Sequence, residues 1–348
     1  MEFKPHFLTT QIGSMPYPTG SAICERIVSI LDIPAWPQLP RRSFHENMYV
    51  QYSRVLPGVV LDEAKEKISF NTENDISPAL EEFYNHYLAE DVDYFGLTPD
   101  YASGFYNMLD TLHKTSGEWA KGQVTGPVSV GLTVTDQNLR ASLYDDMLAD
   151  AIVKNTAMNA RWQARQLHAV RPNVIIFVDE PYLASFGSAY ISLSREQVIA
   201  ILDEVYAGIH AEDALGGVHC CANTDWSVLL STQVDILNLD AFGYLENLAL
   251  YPAELRAFLD HGGIVAWGIV PTGQEIFDVN APGLAKKLLD GLEMISQKSR
   301  ARGVSIDPAE LAFHSLVTPS CGLGSTTIET TERVLETLVG TSEILKKS

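Results

Sequence analysis

Four short stretches of the chain carry side chains able to do chemistry: His219-Cys220-Cys221, Cys321-Gly322, Asp240 and Asp179-Glu180-Pro181. Each closes a run of apolar residues. On an extended backbone positions i and i+2 point to the same side, so His219 and Cys221 can share one metal ion while Cys220 turns away into packing. Cys321 offers a second thiolate about a hundred residues further on, and Asp240 offers an oxygen. Two sulfurs, one imidazole and one carboxylate suit tetrahedral Zn²⁺ and not Mg²⁺ or Ca²⁺, which take oxygen. The absence of paired CxxC spacing favours a catalytic over a structural zinc. Each cysteine has an alternative reading as a small buried hydrophobe, and Asp179-Glu180-Pro181 has one as the capping region of a helix that follows a strand. A Gly/Ser turn, Ile12-Gly13-Ser14, ends an early apolar run, and its backbone N–H groups could hold a carboxylate. His45, His86, His113, His168, His210 and His261 have no paired partner and read as surface or core residues.

The elements that must position these groups follow a β-α rhythm. Strands are predicted at 122–125, 174–178, 216–219, 234–239, 264–269 and 312–317. Further candidates lie at 6–12, 58–61 and 92–97. Amphipathic helices are predicted over 145–167 and 194–209, with a last helix over about 327–348. Near eight alternating units point to an α/β fold, a single (β/α)8 TIM barrel with N-terminal and loop extensions, with a doubly wound open sheet as the competing topology. Residues 1–348 read as one catalytic domain, and the Pro/Trp-rich stretch 33–40 reads as an ordered loop. In such a barrel the C-terminal ends of the strands meet on one face, so groups far apart in sequence converge.

Bulk properties narrow the function classes. The 348 residues carry 44 acidic against 24 basic side chains, a net charge of −20, with no basic stripe, so nucleic acid is excluded as a partner. No apolar run reaches the roughly 20 residues of a membrane span, and the first six residues hold no apolar signal segment. A cytoplasmic location is expected. Four cysteines form no disulfide framework, which favours metal or thiol chemistry.

Taken in order, Thr9 to Pro16, Lys121-Gly122-Gln123-Val124-Thr125-Gly126-Pro127, Ile176 to Pro181, Val218 to Cys221, Asp235 to Asp240 and Pro319 to Gly322 resemble the catalytic C-terminal barrel of cobalamin-independent methionine synthase. That family sits in the superfamily that also contains uroporphyrinogen decarboxylase and corrinoid-dependent methyltransferases. The resemblance implies zinc held by His219, Cys221, Asp240 and Cys321. It also implies a small-molecule thiol such as homocysteine with its carboxylate at Ile12-Gly13-Ser14 and its ammonium on Asp179. The expected nucleophile is the zinc-coordinated substrate thiolate, with no separate catalytic residue, because coordination deprotonates a thiol that is otherwise mostly protonated at neutral pH.

Three departures bear on the methyl donor and acceptor. One barrel stands where the synthase has two. Gln51 stands where an acidic contact to the substrate ammonium is expected, with Glu46 nearby. The stretch 267–272 has no histidine to protonate a folate leaving group, whereas a corrinoid departs as Co(I) and needs no proton. The expectation is therefore a zinc-dependent thiol methyltransferase making methionine, with a methylcorrinoid such as methylcobalamin as donor in place of methyltetrahydrofolate, and with a corrinoid protein as partner. The alternatives are a transferase acting on another thiol, such as coenzyme M, and a non-catalytic zinc- or corrinoid-binding accessory protein.

Overall fold

The structure, a computed structural model, describes residues 3–188 and 191–348; Met1 and Glu2 of the N-terminal stretch lie outside it. Strands and helices alternate in the order β1 (Leu8–Thr9), α1 (Ser21–Ile30), β2 (Val59–Asp62), β3 (Lys67–Phe70), α2 (Ser77–Leu88), α3 (Ser103–His113), β4 (Trp119–Thr125), α4 (Pro127–Thr133), α5 (Asp146–His168), β5 (Asn173–Asp179) and α6 (Arg195–His210). The chain continues through β6 (Leu215–Cys220), α7 (Trp226–Leu229), β7 (Ile236–Leu239), α8 (Ala241–Tyr244), α9 (Pro252–Asp260), β8 (Ile264–Val270), α10 (Ala281–Ala301), α11 (Pro308–Phe313), β9 (Ser315–Pro319) and α12 (Ile328–Leu345).

Among the described residues seven strands form one parallel sheet in the order β1-β9-β8-β7-β6-β5-β4, curled so that one face is concave. Parallel strands need both faces covered. The inner face holds a cluster of Ile33, Ile175, Phe177, Ile236, Ile264, Ala266 and Leu316, while the outer face packs under the helices in a separate and larger core. Burying each such side chain is worth about 1.5–3 kcal/mol. The helices start where the sequence supplies caps. Asp145 accepts from the backbone of Met147 and Leu148 at the head of α5, and Ser194 with Gln197 makes a reciprocal capping box at the head of α6. Among the described residues no helix is long and apolar enough to cross a membrane.

The six later strands fall at or close to their expected positions, although Ala312 belongs to α11 and β9 starts at Ser315. The early candidates differ. Residues 58–61 contribute to an antiparallel hairpin, β2 with β3, outside the main sheet. Val92–Phe95 is a 3-10 turn. An eight-stranded sheet is thus replaced by a seven-stranded one, and the 33–40 stretch accounts for the difference. Its backbone bonds to both edge strands: Ile33 N–H donates to Thr9 O at 3.0 Å, Lys121 N–H donates to Pro34 O at 2.9 Å and Trp36 N–H to Lys121 O at 3.2 Å. Pro34 and Pro37 remove two ladder donors, and side chains make up part of the pairing. Thr10 Oγ1 donates to Ile33 O, Gln11 Nε2 to Ala35 O and Gln123 Nε2 to Trp36 O.

Candidate metal centre and the cavity above it

β6 delivers His219 to the concave face, and Cys221 follows just beyond the strand end. β9 delivers Cys321 in the same way. The ligand atoms of His219, Cys221 and Cys321 all lie within 4.8 Å of one another, from residues separated by a hundred positions in sequence. Cys220 turns the other way and is fully buried, and burial pushes its thiol up to about 12. It is a packing residue.

The imidazole is oriented by a residue that motif reading did not single out. Asn238 on β7 donates its amide N–H groups to Ala266 O and Thr318 Oγ1, each at 2.8 Å. That network assigns its Oδ1 to the side facing His219 Nδ1, 2.5 Å away. A carbonyl oxygen there requires Nδ1 to carry a proton, which makes Nε2 the nitrogen that a metal could take. The signal in the sequence was a single amide inside the apolar run Ile236-Leu237-Asn238-Leu239.

Charge is concentrated on the same spot. Hydrogen bonds from Cys321 and His219 hold the Cys221 thiol far below its usual range, at about 4, against the opposing effect of burial. Cys321 moves the other way, raised by its hydrogen bond to the Cys221 sulfur and by burial. Burial works against a charged His219, but the Cys221 sulfur and Asp179 outweigh it and raise the imidazole. The donor set is therefore a thiolate that accepts hydrogen bonds from a thiol and from the imidazole. Replacing the shared protons by a borderline-soft cation fits zinc and suits neither calcium nor magnesium.

Asp240 follows the last residue of β7, the neighbouring strand, but its Oδ1 accepts from Gly243 N–H at 2.9 Å and caps α8. It does not join the three-residue group.

A cavity of about 340 Å³ opens over the cluster, walled by Ile12, Ser14, Met48, Asp179, Pro181 and Gly322 among others. Asp179 is 7% exposed, and its Oδ1 has no hydrogen-bond partner. Burial pushes its carboxyl up to about 6, opposed by His219 and by the Lys121 ammonium. Glu180 points away and does the capping work: its carboxylate accepts from Val128 N–H, Ser129 N–H and Ser129 Oγ at the head of α4. The helix that Glu180 caps is α4, which precedes β5, and not the one after the strand that the sequence suggests.

The Ile12-Gly13-Ser14 turn forms the opposite wall. Gly13 has a close-packed backing, since a Cβ there would lie 2.8 Å from both Gln123 and Gln38. Ser14 Oγ accepts from Gly324 N–H, which ties the turn to the loop after β9. Gln51 is fully buried behind this wall, accepting from Gln38 Nε2 and donating to Tyr101 O. Glu46 borders the cavity, yet its carboxylate already accepts from Leu39 N–H, Arg42 and Ser103. Asp179 is left as the carboxylate with an unpartnered oxygen at the pocket.

No family model and no curated protein matches the chain. Among solved structures, a methyltransferase from Methanosarcina mazei aligns over 96% of this chain and 92% of its own, with a TM-score of 0.55 at 11% identity, so the two share a fold. A B12-independent methionine synthase from Shewanella sp. W3-18-1, solved in complex with selenomethionine, aligns over 70% of this chain at 18% identity and a TM-score of 0.45. This chain covers 66% of that synthase chain, less than two thirds of its length.

Proposed function

We propose that the protein is a zinc-dependent methyltransferase that moves a methyl group onto the sulfur of a small thiol, with homocysteine as acceptor and a methylcorrinoid as donor. The observation that carries this reading is the meeting of His219, Cys221 and Cys321 at the floor of a cavity that also holds an unpartnered carboxylate oxygen. The fold shared with a methyltransferase is in keeping with it. In this reading residues 1–348 form one catalytic barrel, cytoplasmic, in which the 33–38 stretch takes the eighth place in the ring.

His219, Cys221 and Cys321 would hold the zinc. Three protein ligands leave a position open, as catalytic zinc sites do. When bound, zinc supplies the Lewis acidity that lowers the pKa of an acceptor thiol. Asn238 keeps the His219 tautomer fixed. Asp179 takes the acceptor's ammonium, and the Ile12-Gly13-Ser14 turn takes its carboxylate. Apolar Met48 and Pro181 line the space between and keep water from the reacting sulfur. The sulfur–methyl bond would form as the carbon–cobalt bond of the donor breaks with both electrons staying on cobalt, and the thiol proton would pass to water. No acid is required on the leaving side, in keeping with the sequence of β8, which holds no histidine. A corrinoid protein is the proposed carrier of the donor. An ammonium-bearing acceptor is favoured over the sulfonate thiol coenzyme M because Asp179 offers negative charge.

The test is a parallel assay of zinc-loaded protein with homocysteine or coenzyme M, each with methylcobalamin or methyltetrahydrofolate. Methionine formed from methylcobalamin is the expected result. Methylation of neither thiol by either donor overturns the reading and favours a non-catalytic binding protein.

A further inference from the structure

The strand that opens the Lys121-to-Pro127 motif carries a charge that the metal centre and the acceptor contacts leave unused. Lys121 is fully buried on the concave face. Its Nζ donates to Ile12 O at 2.7 Å and lies 4.2 Å from the centre of the Phe177 ring. An ammonium removed from water costs several kcal/mol unless its surroundings repay it, and a single carbonyl with a ring face is a sparse repayment. What distinguishes the site is where its two neighbours lead. Ile12 begins the turn that walls the pocket, and Asp179, whose carboxylate is felt electrostatically by Lys121, is the unpartnered anion on the other side of the same cavity.

The turn itself is held by backbone bonds on its far side: Gln38 N–H donates to Gly13 O at 3.1 Å and Leu323 N–H to Ser14 O at 2.9 Å. Lys121 is the charged group on its near side. We propose that Lys121 is a positioning residue for the thiol acceptor, pinning the Ile12 carbonyl so that the Gly13-Ser14 backbone faces the pocket and supplying the counter-charge beneath Asp179. Lys121 touches neither the acceptor nor the metal ligands; it acts through the two walls that grip the ends of an amino-acid thiol. This inference rests on the acceptor assignment proposed above.

Lys121→Met tests it. A buried charge replaced by an apolar side chain of similar length is often neutral or stabilising, so a purely structural lysine leaves acceptor binding and thermal stability little changed. The inference expects KM for homocysteine to rise about tenfold or more, the effect of losing one charged hydrogen bond, with kcat and zinc content close to wild type. KM for 4-mercaptobutanoate, which lacks the ammonium, should rise less, because only the turn is disturbed for it. Calorimetric titration of homocysteine into zinc-loaded wild type and variant reads the same ratio without turnover, and Lys121→Gln serves in the same measurements if the methionine variant is insoluble. An unchanged KM and affinity for homocysteine overturns the role of Lys121 while leaving the methyltransferase reading standing. Equal losses for both thiols overturn the counter-charge part. Wild-type protein that neither binds nor methylates homocysteine removes both.

Discussion

The two halves of the concave face are made of unlike residues on the same strands. Toward the N-terminal ends, Ile175, Ile236, Ile264 and Leu316 close a dry cluster. Toward the C-terminal ends, β5, β6, β7 and β9 present Asp179, His219, Asn238 and Thr318, all buried and most of them tied to one another. Lys121 roots among the apolar residues and reaches up to the polar layer. The lower half has little to do except fill space, and volume decides its sequence. The upper half cannot be explained by volume, since burying polar groups is costly unless they are paired. Its pairing is incomplete at Asp179 Oδ1, and the sulfur pair and imidazole leave room for a cation. The difference separates the scaffold from the site within single strands.

Substitutions should split along that line. The largest effect is expected for Cys321→Ala, which removes one of three converging ligands: zinc affinity should fall by more than about a hundredfold, above the 10–100-fold typical of lost outer partners, while the thermal midpoint of the protein without added metal changes little. Elemental analysis after gel filtration reads it, and undiminished zinc would remove Cys321 from the centre. In the lower half, Ile236→Ala should cost about 2–5 kcal/mol of stability in denaturant unfolding. Zinc bound per folded molecule should stay as in the wild type; a loss there would erase the distinction between the halves.

Asp179→Asn keeps the shape of the pocket and removes its charge. An increase of about 10- to 100-fold in KM for homocysteine is expected, from about 1.5–3 kcal/mol of charged hydrogen bonding, with zinc content retained. A loss of zinc instead would place Asp179 among the ligands. The smallest effect is expected for Asp240→Ala. Loss of a helix cap costs about 0.5–2 kcal/mol, and zinc binding should persist. If zinc is lost with the cap, Asp240 is the fourth ligand that the family resemblance implies.

The later six strands, the long helices α5, α6 and α12 and the HxC pair were legible because hydrophobic period and strand-end position are local signals. Two parts were not. The 33–38 stretch behaves as a sheet neighbour, but Pro34 and Pro37 hide it, and its partners Thr10, Gln11 and Gln123 are found only by folding the chain. Residues 58–61 have strand composition but pair locally with β3, a choice that composition does not encode. At the site, the sequence placed Gln51 and Glu46 by resemblance alone. The structure spends their hydrogen-bonding capacity on Gln38, Tyr101, Arg42 and Ser103. Asn238 shows the reverse case, a residue without a motif that sets the tautomer of His219.

X-ray absorption at the zinc edge tests the central claim most directly, on the loaded protein before and after homocysteine is added. The account expects about one zinc per chain with a nitrogen contribution and about two sulfur neighbours, and a third sulfur once the thiol is present. A protein that takes up no zinc, or a sulfur count that homocysteine leaves unchanged, would contradict it.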